Sequence, residues 1–259
     1  MELAPEPGAK ASLDMSMTMG FTIRIDGDSV PVAALPPMLM GMEITVDEVT
    51  DDAVAMSFVY DKAEAGSGGP VMSGMQEVQE MLDTLVGVSG TITTTRSGAY
   101  IDGAVDLAGL DPAMSGAMDQ LEQQLADLAV PLPTEPVGVD AEWEVVSSIE
   151  SGGITFCNVA SYTLAEFDGD SYELDVEVTQ NAIPAEFTEG GVPIELKAGT
   201  GSLNGRSGGS LSLPVAVSAT TEGTSTMTME VDQHGSTVTQ EVVVDVEVEI
   251  SPRDAESST

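Results

Sequence analysis

Strict alternation of apolar and polar side chains dominates this chain. Leu13, Met15, Met17 and Met19 are separated by Asp14, Ser16 and Thr18, and Phe21, Ile23 and Ile25 continue the beat to Asp26-Gly27-Asp28-Ser29. A period of two sends successive side chains to opposite faces of a strand, and Asp-Gly suits a two-residue hairpin turn. Met38, Met40 and Met42 alternate again and lead through Ile44 and Val46 to a turn at Asp51-Asp52, then into Val54 to Tyr60. The period changes over Val71 to Val86, where Met75, Val78, Met81, Leu82 and Leu85 recur every three or four residues before Gly87. That spacing predicts an amphipathic helix with a glycine stop.

Strands are expected through Thr91 to Thr95 and Ala99 to Leu107. Asp111-Pro112 then combines an N-cap residue with proline at the first helical position, and Met114, Met118, Leu121, Leu125 and Leu128 form the stripe of a second helix. Pro131, Pro133 and Pro136 mark an extended linker. From Trp143 onward nearly everything reads as strand, with Val215 to Val217, Ser225 to Val231 and Val238 to Ile250 alternating against Thr, Glu and Asp. One wet face is the expected outcome, and the first and last strands are expected to be neighbours that cover each other's edges.

The pattern runs twice. The stretch from Ile44 to Tyr60 superposes on the stretch from Tyr162 to Val178 with an offset of 118, and Ile44, Val46, Val49, Val54, Met56, Phe58 and Tyr60 fall on Tyr162, Leu164, Phe167, Tyr172, Leu174, Val176 and Val178. Each copy later contains Arg-Ser-Gly, at Arg96 and at Arg206, with an offset of 110; a helix present only in the first copy fits the lost eight residues. The expected fold is therefore mainly β with two amphipathic helices (α+β), its two related antiparallel halves forming a curved sheet or half-barrel. Residues 1–12 are expected as a tether, 13–110 as the first half, 111–136 as second helix and linker, 137–250 as the second half and 251–259 as a disordered tail.

Charge narrows the partners. Seven Lys and Arg face 44 Asp and Glu, a formal net of −37 over 259 residues. Such a surface repels nucleic acid and anionic headgroups, whose binding needs cations to displace counterions. Self-repulsion also calls for screening salt, which a saline exterior or a salt-rich cytoplasm supplies. The longest apolar run, Val30 to Met42, is too short to span a bilayer and carries Pro31, Pro36 and Pro37. The start, with Glu2, Pro5, Glu6 and Pro7, has no apolar core of a signal peptide and is read as a trimmed extracytoplasmic N-terminus, a pattern that a cytoplasmic start shares. The one cysteine, Cys157, permits no internal disulfide and is expected to be buried and inert in the run Ile154 to Ala160.

The stretch PLPTEPVGVDAEW, from Pro131 to Trp143, resembles the PLPxxPVGxGAxW signature of a family of secreted bacterial lipoproteins of unknown function. It departs from that signature at Asp140, where the pattern prefers glycine, and it supplies no functional residues. At fold level the strand-rich halves with two helices are similar to lipoprotein carriers, whose curved half-barrels hold acyl chains on a concave apolar face.

Eight of the fifteen methionines stand at alternate strand positions: Met15, Met17, Met19, Met38, Met40, Met42, Met227 and Met229. Flexible thioethers suit ordinary core filling, an adaptable ligand surface, or Cu(I). Copper is disfavoured because the one histidine, His234, sits in a turn. Asp26-Gly27-Asp28-Ser29 and Asp168-Gly169-Asp170-Ser171 are read as turns, since neither continues with calcium-loop spacing. Gly199, Gly201 and Gly205 lack the spacing and following helix of a dinucleotide loop. One His and one Cys leave no evident nucleophile and base pair, and ten aromatic residues are few for a carbohydrate cleft. The expectation is a non-enzymatic extracytoplasmic protein, without cofactor or metal, binding a lipid-like ligand. Its site residues are Met15, Met17, Met19, Met38, Met40 and Met42 on strands and Met75, Met81, Met114 and Met118 on helices. The alternatives are a structural or interaction module with a solid core, and calcium-dependent adhesion.

Overall fold

A computed structural model describes residues 1–32, 35–66, 75–106, 130–151, 153–189, 192–233 and 236–253. The alternating segments form β1 (Lys10–Ile25), β2 (Asp28–Val30), β3 (Met38–Val49), β4 (Ala53–Ala65), β5 (Ser89–Thr95), β6 (Tyr100–Val105), β7 (Glu142–Ser151), β8 (Ile154–Phe167), β9 (Ser171–Ala182), β10 (Ala185–Glu189), β11 (Val192–Ser210), β12 (Leu213–Gln233) and β13 (Ser236–Pro252). All belong to one antiparallel sheet in the order β6-β5-β4-β3-β1-β13-β12-β11-β9-β8-β7, with β2 on β1 and β10 on β11. The ladder is open, with β6 and β7 as its ends. First and last strands do pair, from Leu13 opposite Pro252 to Ile25 opposite Gln240.

The two hairpins that match in sequence also match in register. In β3–β4, Met42 faces Tyr60, Ile44 faces Phe58 and Val46 faces Met56; Asp47 is then left over, and Val49 faces Val54. In β8–β9, Ala160 faces Val178, Tyr162 faces Val176 and Leu164 faces Leu174; Ala165 is left over, and Phe167 faces Tyr172. Every pair, and the bulge itself, keeps the offset of 118. A second bulge repeats as well. Ile101 is skipped between Thr93–Asp102 and Thr94–Tyr100, and Val217 between Gly208–Ser218 and Gly209–Ala216. Because Thr94 faces Val54 and Gly209 faces Tyr172, the third strands correspond with an offset of 115. The Arg-Ser-Gly matches are therefore not equivalent: Arg96-Ser97-Gly98 follows β5, whereas Arg206-Ser207-Gly208 lies inside β11.

The core has two parts, one beside each bulged hairpin. One joins Met42, Ile44, Val46, Val54, Met56, Phe58 and Ile92 to Val215 and Ile250. The other joins Leu164, Tyr172 and Leu174 to Leu3, Val130, Leu132 and Ala216. Irregular segments tie the hairpin turns together. The Leu3 N–H donates to the Arg96 carbonyl (2.8 Å), Ala4 to Leu211 (2.7 Å) and Leu132 to Ser97 (2.6 Å). The Trp143 indole N–H donates to the Pro131 carbonyl at 2.9 Å, and Trp143 stacks on Tyr162.

Several expectations are corrected here. Residues 1–12 are no tether: Leu3 is buried, the Met1 ammonium donates to the Pro133 carbonyl, and β1 begins at Lys10. At the other end Ser251 and Pro252 belong to β13, and Arg253 lies across β3 at Gly41, meeting Asp61 (2.9 Å) and Asp14 (3.6 Å). Residues 254–259 lie outside the described residues. The first predicted helix is α1 (Met75–Asp83), whose Leu82 enters the first core and whose Gln79 accepts from the Ala65 N–H. It is the single α-helix among the described residues, and the second predicted helix falls outside them. Cys157 is exposed rather than buried, because it faces Ser148 and Asn181 on the polar side of β8.

Candidate functional site

Uninterrupted registers across β1, β13, β12, β11, β9, β8 and β7 arrange the core-facing side chains in rungs. Met15, Ile250, Ala219, Ser207, Leu174 and Leu164 make the rung nearest the sealed cores. The next contains Met17, Val248, Thr221, Gly205, Val176, Tyr162 and Trp143. Above it stand Met19, Val246, Gly223, Leu203, Val178, Ala160 and Val145. Then come Phe21, Val244, Ser225, Gly201, Gln180, Asn158 and Ser147, followed by Ile23, Val242, Met227, Gly199, Ala182, Phe156 and Ile149. No ionisable carboxylate, amine or guanidinium occurs in any of these five rungs. On β1, β13 and β12 these side chains above the first rung are half-buried, neither sealed nor free.

The opposite face holds the charge. Glu247 stands directly across from Glu222, and Glu249, Asp245, Glu177, Asp175 and Glu144 share that side. The cations are there too: Arg24 pairs with Glu241, Arg206 with Glu173 (2.5 Å) and Asp175 (2.9 Å), and Lys197 with Glu195 (2.6 Å) and Glu230 (3.0 Å). Hydrogen bonds from Lys197 to Glu195 and then Glu230 hold its amine charged above the usual lysine range. Its position relieves a ladder in which Glu186, Glu195 and Glu230 face one another. An open hollow of about 470 Å³ beside this ladder is lined by Phe187 and Ile194 but also by those three acids and Asp232. Among the described residues no group of three or more His, Cys, Asp or Glu is placed to hold a metal ion.

The glycines of β11 and β12 shape the core face. A Cβ at Gly205 would strike the Thr220 carbonyl oxygen, and one at Gly199 would lie 2.6 Å from the Ala182 Cβ. Close strand approach therefore demands glycine here, and it leaves a low strip between the Met and Val side chains of β1 and β13 and those of β9. The sequence had shown these glycines only as an imperfect dinucleotide loop.

The predicted methionines divide. Met40 and Met42 are buried in the first core, and Met15 and Met38 pack against it. Met17 and Met19 stand on the open rungs, with Met227 and Met229 nearby on β12. Met75 and Met81 lie on α1, while Met114 and Met118 are outside the described residues. Sequence reasoning missed Phe21, Val242, Val244 and Val246 as members of the same face, although the alternation of Val244 and Val246 with Asp245 and Glu247 carried part of the signal.

Both Asp-Gly tetrads are turns. Asp26 (φ 50°) and Gly27 (φ 90°) take the left-handed conformations of a type I′ hairpin, and Asp26 accepts from the Thr239 N–H at 3.0 Å. Asp168 accepts from the N–H groups of Ser171 (2.9 Å) and Asp170 (3.2 Å), which lower its pKa. Burial raises the phenol of Tyr60 to about 12 and shifts Tyr172 the same way. Asp140 has φ 67°, a left-handed conformation that glycine adopts freely.

No protein-family profile matches the chain, and no curated protein matches it. Among solved structures, a crystal structure of an outer membrane channel from Pseudomonas putida F1 aligns over 96% of this chain and 97% of that one, with 8% identity and a TM-score of 0.21. A superposition this loose places no constraint on fold or activity. No helix among the described residues is long and apolar enough to cross a membrane.

Proposed function

We propose that this is an extracytoplasmic, non-enzymatic protein that holds a lipid-like molecule on the core face of a curved, half-barrel sheet built from two duplicated halves. The observation that carries the reading is the run of half-buried, uncharged rungs beyond the sealed cores, backed by a face on which the acids are concentrated. Repeated registers and bulges support the duplication. The resemblance of Pro131 to Trp143 to secreted lipoproteins supports the location and belongs to the same proposal.

The mechanism is burial. Each methylene moved from water onto the face contributes about 0.8 kcal/mol, so one long acyl chain binds without a charged contact. Met17, Met19, Phe21, Val242, Val244, Val246 and Met227 form the contact surface. Native mass spectrometry of the purified chain before and after solvent extraction, and again after incubation with lipid vesicles, tests this. A stoichiometric lipid adduct that extraction removes is the expected result. A bare mass in all three states refutes lipid binding.

A further inference from the structure

The fourth rung differs from its neighbours. Amid apolar rungs it carries Ser147, Asn158, Gln180 and Ser225, all neutral hydrogen-bonding side chains on the core side of their strands. Gln180 and Ser225 converge over Gly201, where a Cβ would lie 3.4 Å from Gln180 Oε1 and 3.3 Å from Ser225 Cβ. Next to Gln180 in the ladder, the Asn158 Oδ1 is buried and has no hydrogen-bond partner among the described residues. An acceptor so placed is unfavourable in a sealed core and favourable only where a donor arrives.

We propose that this belt recognises the headgroup of the bound lipid, and that the ligand is a neutral lipid with a free hydroxyl, of the diacylglycerol type. This rests on the lipid-binding reading and adds the headgroup to it. Asn158 as a residue is only half-buried, so turning its side chain brings the enclosed Oδ1 to the face; the hydroxyl then donates to it and accepts from the Gln180 amide or a serine, while the acyl chains lie along the apolar rungs on either side. Charge selects against anionic headgroups, because none of the seven Lys and Arg side chains stands in these rungs and the far face is acidic. A headgroup without a donor leaves Oδ1 unpaired, which disfavours triacylglycerol.

Full-length protein incubated with phosphatidylcholine vesicles doped with dioleoylglycerol, dioleoylphosphatidylglycerol or trioleoylglycerol, followed by native mass spectrometry, tests the assignment. Dioleoylglycerol is expected to load at least tenfold better than the other two. Asn158→Leu is expected to remove that preference while leaving the melting temperature equal or higher, since it deletes an unpaired buried acceptor. Equal loading of all three, or an unchanged preference in a folded Asn158→Leu chain, overturns the headgroup assignment and leaves lipid binding standing. No loading of any lipid overturns both.

Discussion

Replacing Val242, Val244 and Val246 together by threonine separates a ligand-binding face from an ordinary core. The three side chains lie on successive core-face positions of β13 and are half-buried. Threonine keeps their shape and β-branching, so the strand is retained and only polarity changes. In a sealed interior each unpaired hydroxyl costs about 1–3 kcal/mol, roughly 3–9 kcal/mol for the set. On an open face each substitution falls within about 0.5 kcal/mol of neutral, so the total stays below about 1.5 kcal/mol. Lipid uptake responds in the opposite way. Three methyl groups withdrawn from the ligand contact remove about 2.4 kcal/mol, roughly fiftyfold in affinity. Urea unfolding followed by the fluorescence of Trp143, the single tryptophan, against Tyr162 gives the stability. Loading from lipid vesicles gives the affinity. A loss of several kcal/mol with no change in uptake would refute the open-face argument and favour a solid-core structural module.

Within the cores, Leu174→Ala and Met56→Ala are each expected to lower stability by about 2–5 kcal/mol in the same urea assay, since both side chains are fully enclosed. High pH acts through the buried phenols. Tyr60 keeps its proton to about pH 12 in the fold against 10.0 in the open chain, so its contribution is complete below pH 10 and falls as pH rises toward 12, by about 2.7 kcal/mol. Absorbance titration should show Tyr60 and Tyr172 ionising later than a free tyrosine, and Tyr60→Phe should remove one late step and flatten the alkaline loss; ionisation of both in the ordinary tyrosine range in the folded chain would contradict it. Added sodium chloride should raise the melting temperature, because Glu222 faces Glu247 and Glu186 faces Glu195 across strands. Glu247→Lys should reduce that salt response while stabilising by less than about 1 kcal/mol, and an unaltered response would contradict the role of this pair.

The strands were legible because alternation is enforced wherever one face is wet, and the Ile44 and Tyr162 hairpins were legible because seven apolar positions recur. The bulges were written there too. Val46 to Val49 and Leu164 to Phe167 each advance by three, breaking the period where Asp47 and Ala165 are left over. Arg-Ser-Gly misled because a short polar tripeptide fits a turn at Arg96 and an exposed strand position at Arg206 equally well. Cys157 misled because Ile154, Phe156, Val159 and Ala160 outnumber Thr155 and Asn158 in the local run, whereas strand parity puts Cys157 opposite Ser148 and Asn181 on the polar side. The packing of Leu3 depends on Arg96 and Val130, and that of the adjacent Ala4 on Leu211, all distant in sequence and invisible to any local pattern. The same holds for the polar rung, since Asn158, Gln180 and Ser225 become neighbours only through three strand registers.

Both sealed cores lie near the turns of the two bulged hairpins, yet β12 runs for 21 residues and β11 for 19, several rungs beyond them. Typical strands have about five or six residues, enough for one sealed layer. The added length creates an apolar face that is half exposed to water, an unfavourable arrangement that also invites aggregation. Placing like charges across from one another on the far side opposes that association, at a cost in stability that screening salt reduces. Neither feature helps a solid module hold its shape. Together they suit a sheet that keeps itself soluble when empty and is completed by an uncharged molecule lying on its core face.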